Sequence, residues 1–98
     1  MKQQITQEQW DKINDEQKKT FWGEEYHHND PKIYKVDLPD IGQMIEFLGD
    51  DLRMIVFPSF TKKTFQVISY YRDFWGEELA DALFEIVKYK LYEHLLVA

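Results

Sequence analysis

His27 and His28 sit beside Glu24, Glu25 and Asp30, the one place in this 98-residue chain where metal-ligating side-chain types crowd together. Adjacent imidazoles on a loop do not readily face one ion, and the i, i+4 histidine spacing that presents two of them from a helix is missing. The cluster reads as a polar loop, and no metal site is predicted. His94 stands alone near the end of the last predicted helix, where the dipole mildly favours imidazolium, and reads as structural. Ser59 follows Pro58 in a loop and Ser69 falls in a predicted strand, neither within the Gly-x-Ser-x-Gly of a nucleophile elbow. The four glycines, at 23, 42, 49 and 76, occur singly, so there is no glycine-rich phosphate loop. The carboxylate pairs Glu24-Glu25, Asp50-Asp51 and Glu77-Glu78 are sequence neighbours and read as solvated faces rather than as acid and base. The absence of cysteine removes thiolate nucleophiles, disulfides and Cys-ligated zinc. No catalytic residue and no cofactor is predicted, and a non-enzymatic role is the expectation.

Binding chemistry is better represented. The net charge is −6, but it divides by region into −3 over residues 1–31, −3 over 32–51, +4 over 52–72 and −4 over 73–98. Inside the one cationic stretch Arg53, Lys62, Lys63 and Arg72 accompany Phe57, Phe60, Tyr70 and Tyr71. Basic residues on strand edges discourage edge-to-edge aggregation and would complement acidic helices. They would equally suit phosphate, a single-stranded nucleic acid or an acidic protein surface. Four cations against this acidic background argue against tight non-specific duplex binding. A second peculiarity is the segment Phe21-Trp22-Gly23-Glu24-Glu25, which recurs as Phe74-Trp75-Gly76-Glu77-Glu78. The first copy is placed at the end of a helix and the second at the start of one, so it is not a repeated unit. Glycine punctuation and aromatic anchoring explain it, or else Trp22 or Trp75, ringed by carboxylates, is an interaction hot spot.

The elements that must position these residues start from a chain short enough for one modest core and no enclosed, multilayered active site. Leu, Ile, Val and Phe number 28 of 98, enough for the chain to fold. Thr6 with Gln9 has capping-box spacing, and Ile5 with Trp10 that of a hydrophobic staple, so a first helix begins at Gln7. Asn14 with Gln17 repeats the spacing and predicts a second helix from Asp15 to Trp22, ended by Gly23. These two short helices are sparsely apolar and are expected to dock on the body and open more easily than the rest. Residues 24–31 read as a loop and Ile33–Leu38 as an optional edge strand. Asp40 caps a helix in which Ile41, Met44, Ile45 and Leu48 share one face, and Gly49 stops it. Leu52–Phe57 and Thr64–Arg72 form a hairpin around a six-residue loop, with Phe65, Val67, Ser69 and Tyr71 on one face and Gln66, Ile68, Tyr70 and Arg72 on the other. A last helix runs from about Gly76 to Leu96 with a broad apolar stripe and acidic first turns. The prediction is a single α+β domain: a small antiparallel sheet, centred on the hairpin with a third strand optional, covered by a long C-terminal helix and a short middle helix. Residues 1–31 form a helical arm and 32–98 the body. The amino terminus has no apolar segment behind its basic residue and no run is long enough to span a membrane, so cytoplasmic residence without membrane attachment is expected.

Residues 41–50, IGQMIEFLGD, and 78–88, ELADALFEIVK, resemble small uncharacterised proteins encoded by phages and prophages, over roughly residues 39–93. These motifs are core and capping residues, so the resemblance implies a shared fold and carries over no functional residue. It also implies a genomic setting in which small non-enzymatic modulators of host proteins, inhibitors among them, are common.

The favoured expectation is an interaction module for a protein partner, contacting it through the Trp10, Phe21 and Trp22 arm and through the hairpin at Phe60, Lys62 and Lys63. One alternative places Arg53, Lys62, Lys63 and Arg72 on the phosphates of a nucleic acid or nucleotide, with Tyr70 or Phe60 stacking. Another makes Glu77, Glu78, Asp81 and Glu85 a nucleic-acid mimic. Leu91, Leu95, Leu96 and Val97 extend beyond the sheet and would allow a homodimer through the C-terminal helix.

Overall fold

The computed structural model describes residues 2–23 and 37–97, with side chains through Glu93. The His27-His28 cluster, its neighbouring acids and the predicted strand up to residue 36 lie outside the described residues. So do the side chains of His94, Leu95, Leu96 and Val97.

Three helices begin with the same reciprocal pair of hydrogen bonds. Thr6, Asn14 and Asp40 each accept from the backbone N–H three residues on, and Gln9, Gln17 and Gln43 reach back to the cap's own N–H. Two donors that the first helical turn leaves orphaned are thereby satisfied at each start. The helices are α1 (Gln7–Trp10), α2 (Asp15–Trp22) and α3 (Ile41–Leu48). A 3₁₀ turn over Gly49–Asp51 leads from α3 into β1 (Leu52–Val56), followed by β2 (Phe65–Ser69), β3 (Asp73–Gly76) and α4 (Leu79–Val97). The strands form an antiparallel meander in the order β1-β2-β3, and α4 packs on the sheet with α3 beside it and α2 at its flank. This is the predicted α+β architecture.

The core lies between sheet and helices. Phe65, Val67 and Ser69 are buried on the inner face of β2, and Leu79, Ala80, Leu83, Phe84, Ile86, Val87 and Leu91 bury the stripe of α4. From α3 come Met44 and Leu48, and from the arm Ile5, Trp10, Ile13 and Phe21. A backbone bond, an ion pair and ring packing all attach the arm. The Ile41 N–H donates to the Gln3 carbonyl at 2.9 Å. Lys2 Nζ meets Asp81 Oδ1 at 2.6 Å, and Trp10 sits edge-on to Phe21 and Trp22 and tilted against Phe84.

Most strand and helix ends fall within one residue of the prediction, and the two that differ by more are explained by one residue. The expected second strand, Thr64–Arg72, stops at Ser69 because the Ser69 hydroxyl builds a corner. Its Oγ donates to the Arg72 carbonyl at 2.6 Å and accepts the N–H groups of Tyr71 and Arg72 at 3.2 and 3.1 Å. The chain turns back there, so Asp73–Gly76 becomes the third strand and α4 starts at Leu79 rather than Gly76. Tyr70 and Arg72 accordingly lie in a turn and not on a strand face.

The two copies of Phe-Trp-Gly use glycine for different reasons. Gly23 ends α2 at φ 86°, ψ 164°, a conformation that side chains disfavour. Gly76 has ordinary φ, but a Cβ there would stand 3.2 Å from the Glu78 carbonyl and 3.4 Å from the Ala82 nitrogen, where β3 passes beneath the start of α4.

Candidate functional site

Alternation along the strands assigns the sheet's outer face. Opposite the buried Phe65, Val67 and Ser69, strand β2 presents Gln66 and Ile68 outward. Register then builds two cross-strand rows: Met54, Ile68 and Asp73 in one, Val56, Gln66 and Trp75 in the next. Gln66 Nε2 donates to Asp73 Oδ2 at 3.3 Å, which ties the two polar members together. The remaining four are apolar, and Met54 and Trp75 stay 57% and 58% exposed. Met54 was missed in the sequence because Met54-Ile55-Val56-Phe57 is a continuous apolar run, the pattern of a strand covered on both faces. On this edge strand only one face is covered.

The hairpin's four cations do not form one patch. Lys62 and Lys63 belong to the loop between β1 and β2, whereas Arg53 and Arg72 lie at the opposite ends of these strands, about 17 Å away for a five-residue strand. At the Arg end, the pairing shifts between Leu52 and Met54, leaving Arg53 as the extra residue of a bulge. Its guanidinium lies 5.9 Å from the Tyr70 ring, and that of Arg72 lies 5.2 Å from the Phe74 ring. At the other end the loop is organised by a turn. The Ser59 N–H donates to the Lys62 carbonyl at 2.7 Å, and the Lys62 N–H returns to Ser59 Oγ at 3.3 Å. Phe60 at the apex is 99% exposed, beside an open concavity of about 570 Å³ lined, among the described residues, by Ser59, Phe60 and Lys63.

The arm contributes differently from expectation. Trp10 is 0% exposed and Phe21 is buried, so both are interior anchors and neither presents a contact surface. The reason is supply: a segment with few apolar residues must spend its largest ones on docking. Trp22 is half-buried and lines, with Phe21, Gln43, Glu46 and Phe47, a cleft of about 310 Å³ between α2 and α3. Its aromatic floor is Phe21 against Phe47 at 4.8 Å and against Trp22 at 4.9 Å. Glu46 and Gln43 are exposed at its rim.

Three of the four acids expected to mimic a nucleic acid, Glu78, Asp81 and Glu85, are occupied within the fold. Glu78 accepts the Lys2 N–H at 2.8 Å, and Glu85 pairs with Lys88 at 2.9 Å. Partial burial pushes the Asp81 carboxyl up, but hydrogen bonds from Lys2 and Gln9 outweigh it and hold the group below its ordinary value. A second network closes the sheet against α3. Lys90 Nζ donates to the Phe47 carbonyl at 2.8 Å and meets Asp51 Oδ2 at 3.0 Å, so a cation sits at the C-terminal end of α3 where the dipole favours it. The Tyr71 hydroxyl donates to the same carboxylate at 3.2 Å. The Lys90 hydrogen bond holds the Asp51 carboxyl below its usual range despite burial. Burial, then the bond to Asp51, pushes Tyr71 up to about 12.

Among the described residues no group of three or more His, Asp or Glu is placed to hold a metal ion, and no helix is long and apolar enough to cross a membrane. Leu91, expected to contribute to a dimer through α4, is fully buried. The exposed chemistry therefore gathers on the outer sheet face and at the two ends of the hairpin. No family model, no curated protein and no solved structure matches this chain.

Proposed function

We propose that this chain is a small non-enzymatic binding module of the cytoplasm, phage-derived, that grips a protein partner across the outer face of its sheet and modulates it, as an inhibitor would. The observation that carries this reading is the pair Met54 and Trp75, both more than half exposed on a face they share with Ile68, Val56 and the hydrogen-bonded pair Gln66 and Asp73. Exposed apolar surface rimmed by polar groups marks interaction sites more often than chance, and tryptophan is the residue type most enriched at their energetic centres. Three strands span about 10 Å and five residues about 17 Å, less than a standard interface, so the patch is extended at its ends by Phe60 with Lys62 and Lys63, and by Tyr70 with Arg53 and Arg72. A nucleic-acid reading is weaker, because the cations are split between the two ends and Asp73 stands on the face between them.

The test compares wild type, the double variant Met54→Glu, Trp75→Ala and the control Glu85→Ala as baits in host lysate. In parallel, fluorescence anisotropy is read with a labelled single-stranded oligonucleotide at low salt. A protein enriched by wild type and control but lost with the double variant supports the reading. An enriched set unchanged by the double variant, or saturable oligonucleotide binding that the double variant abolishes, overturns it.

A further inference from the structure

We infer that the hairpin tip of one copy seats in the α2–α3 cleft of another, so that the chain self-associates head to tail. This goes beyond the binding of a foreign partner, and it uses the tip and the cleft rather than Met54 and Trp75.

Two features of one chain fit each other. The tip offers Phe60, wholly exposed at the apex of a turn that Ser59 and Lys62 close by hydrogen bonds, with Lys62 and Lys63 beside it. Such a knob is already ordered, so little conformational freedom is lost when it docks. The cleft offers the complement. Its floor is Phe21, Trp22 and Phe47, its rim carries Glu46 and Gln43, and about 310 Å³ admits a single aromatic side chain. Aromatic rings already meet edge-on there, the geometry in which one more ring gains beyond its buried area. The charges are opposite in sign, cationic beside the knob and anionic at the rim, as they are over the whole chain, where residues 52–72 carry +4 and the rest −10.

The fold also excludes a contact within one copy. Phe47 lies in the last turn of α3, which passes through Gly49–Asp51 straight into the start of β1, while Phe60 lies beyond its far end. Lys90 pins that junction through the Phe47 carbonyl and Asp51. A strand of about 17 Å therefore holds each tip away from its own cleft, so a tip that enters this cleft comes from a second copy. Because knob and cleft are different surfaces, the contact is heterologous and continues to a third copy unless the rotation closes a ring.

Sedimentation velocity on the purified chain, from about 10 μM to about 1 mM and at low and high salt, reads the association directly. Association rising with concentration and weakening with salt is expected, with dissociation constants at least tenfold higher for Phe60→Ser and for Glu46→Lys. Both residues are exposed, so thermal melts of the variants should match wild type. The distinguishing experiment mixes the two variants: Phe60→Ser keeps a cleft and Glu46→Lys keeps a knob, so the mixture should form a one-to-one dimer that grows no further. A wild type that stays monomeric throughout, association unmoved by both variants, or a mixture that forms no dimer overturns the inference. None of these outcomes bears on the Met54 and Trp75 face, because no other protein is present.

Discussion

Ser69 holds the corner on which the third strand depends. Its buried hydroxyl makes three hydrogen bonds around Tyr70–Arg72, and removing it leaves a carbonyl and two N–H groups to find other partners. Ser69→Ala should cost about 2 kcal/mol by denaturant unfolding, with Trp75 fluorescence reporting loss of β3 packing first. In the sequence this serine reads as a strand interior, because Tyr70, Tyr71 and Arg72 continue the β pattern and no glycine or proline breaks it. A short hydroxyl replacing a backbone turn leaves no compositional trace, which is why β3 and the start of α4 were misplaced. Tyr71 supplies a second test. Its folded pKa, raised from 10.0 to about 12, means that the native state holds the phenolic proton more tightly than the unfolded chain. This contribution is complete below pH 10 and is lost as pH rises toward 12. Asp51 acts in the opposite sense: its carboxyl is lowered from 3.8, so its contribution is present above that value and is lost as pH falls through the lower folded value. Tyr71→Phe should flatten the alkaline loss of stability and leave the acid limb largely in place, as thermal melts across pH would read.

At the scale of elements, the arm shows which kind of contact holds a marginal segment. Lys2 to Asp81 is a short ion pair, but both side chains are more than a quarter exposed, which limits such a bridge to about 1 kcal/mol or less. Trp10 is fully buried, and truncating a buried aromatic to alanine costs about 3–5 kcal/mol. Trp10→Ala should therefore release α1 and α2 from the body, seen as a loss of amide protection confined to residues 7–22, while Asp81→Asn should change protection there only slightly. Equal effects of the two variants would contradict this ordering. The starts of α1, α2 and α3 were legible because capping boxes are local: Thr6 with Gln9, Asn14 with Gln17 and the Asp40 cap each need only a few residues. The α4 stripe was legible for the same reason of fixed period. What the sequence could not convey was which aromatic residues face inward. Trp10 and Phe21 look like Trp75 and Phe60 until tertiary packing separates them.

For the whole molecule, the −6 net charge averages over a division that the fold makes sharper and then splits again. The +4 stretch is one hairpin, yet its strands keep Lys62 and Lys63 a strand's length from Arg53 and Arg72, so there are two cationic ends with the face of Met54 and Trp75 between them. Regional charge was visible in the sequence and its division was not, because separation along strands depends on where they end. The outer face is the surface on which the functional account rests. Photo-crosslinking tests it most directly, with a benzophenone amino acid placed at Trp75 on that face or at Glu85 on the outside of α4, each exposed in host lysate. The account predicts one discrete adduct with a foreign protein from position 75 and none from position 85. Identical adducts from both positions, or adducts from position 85 alone, would contradict it.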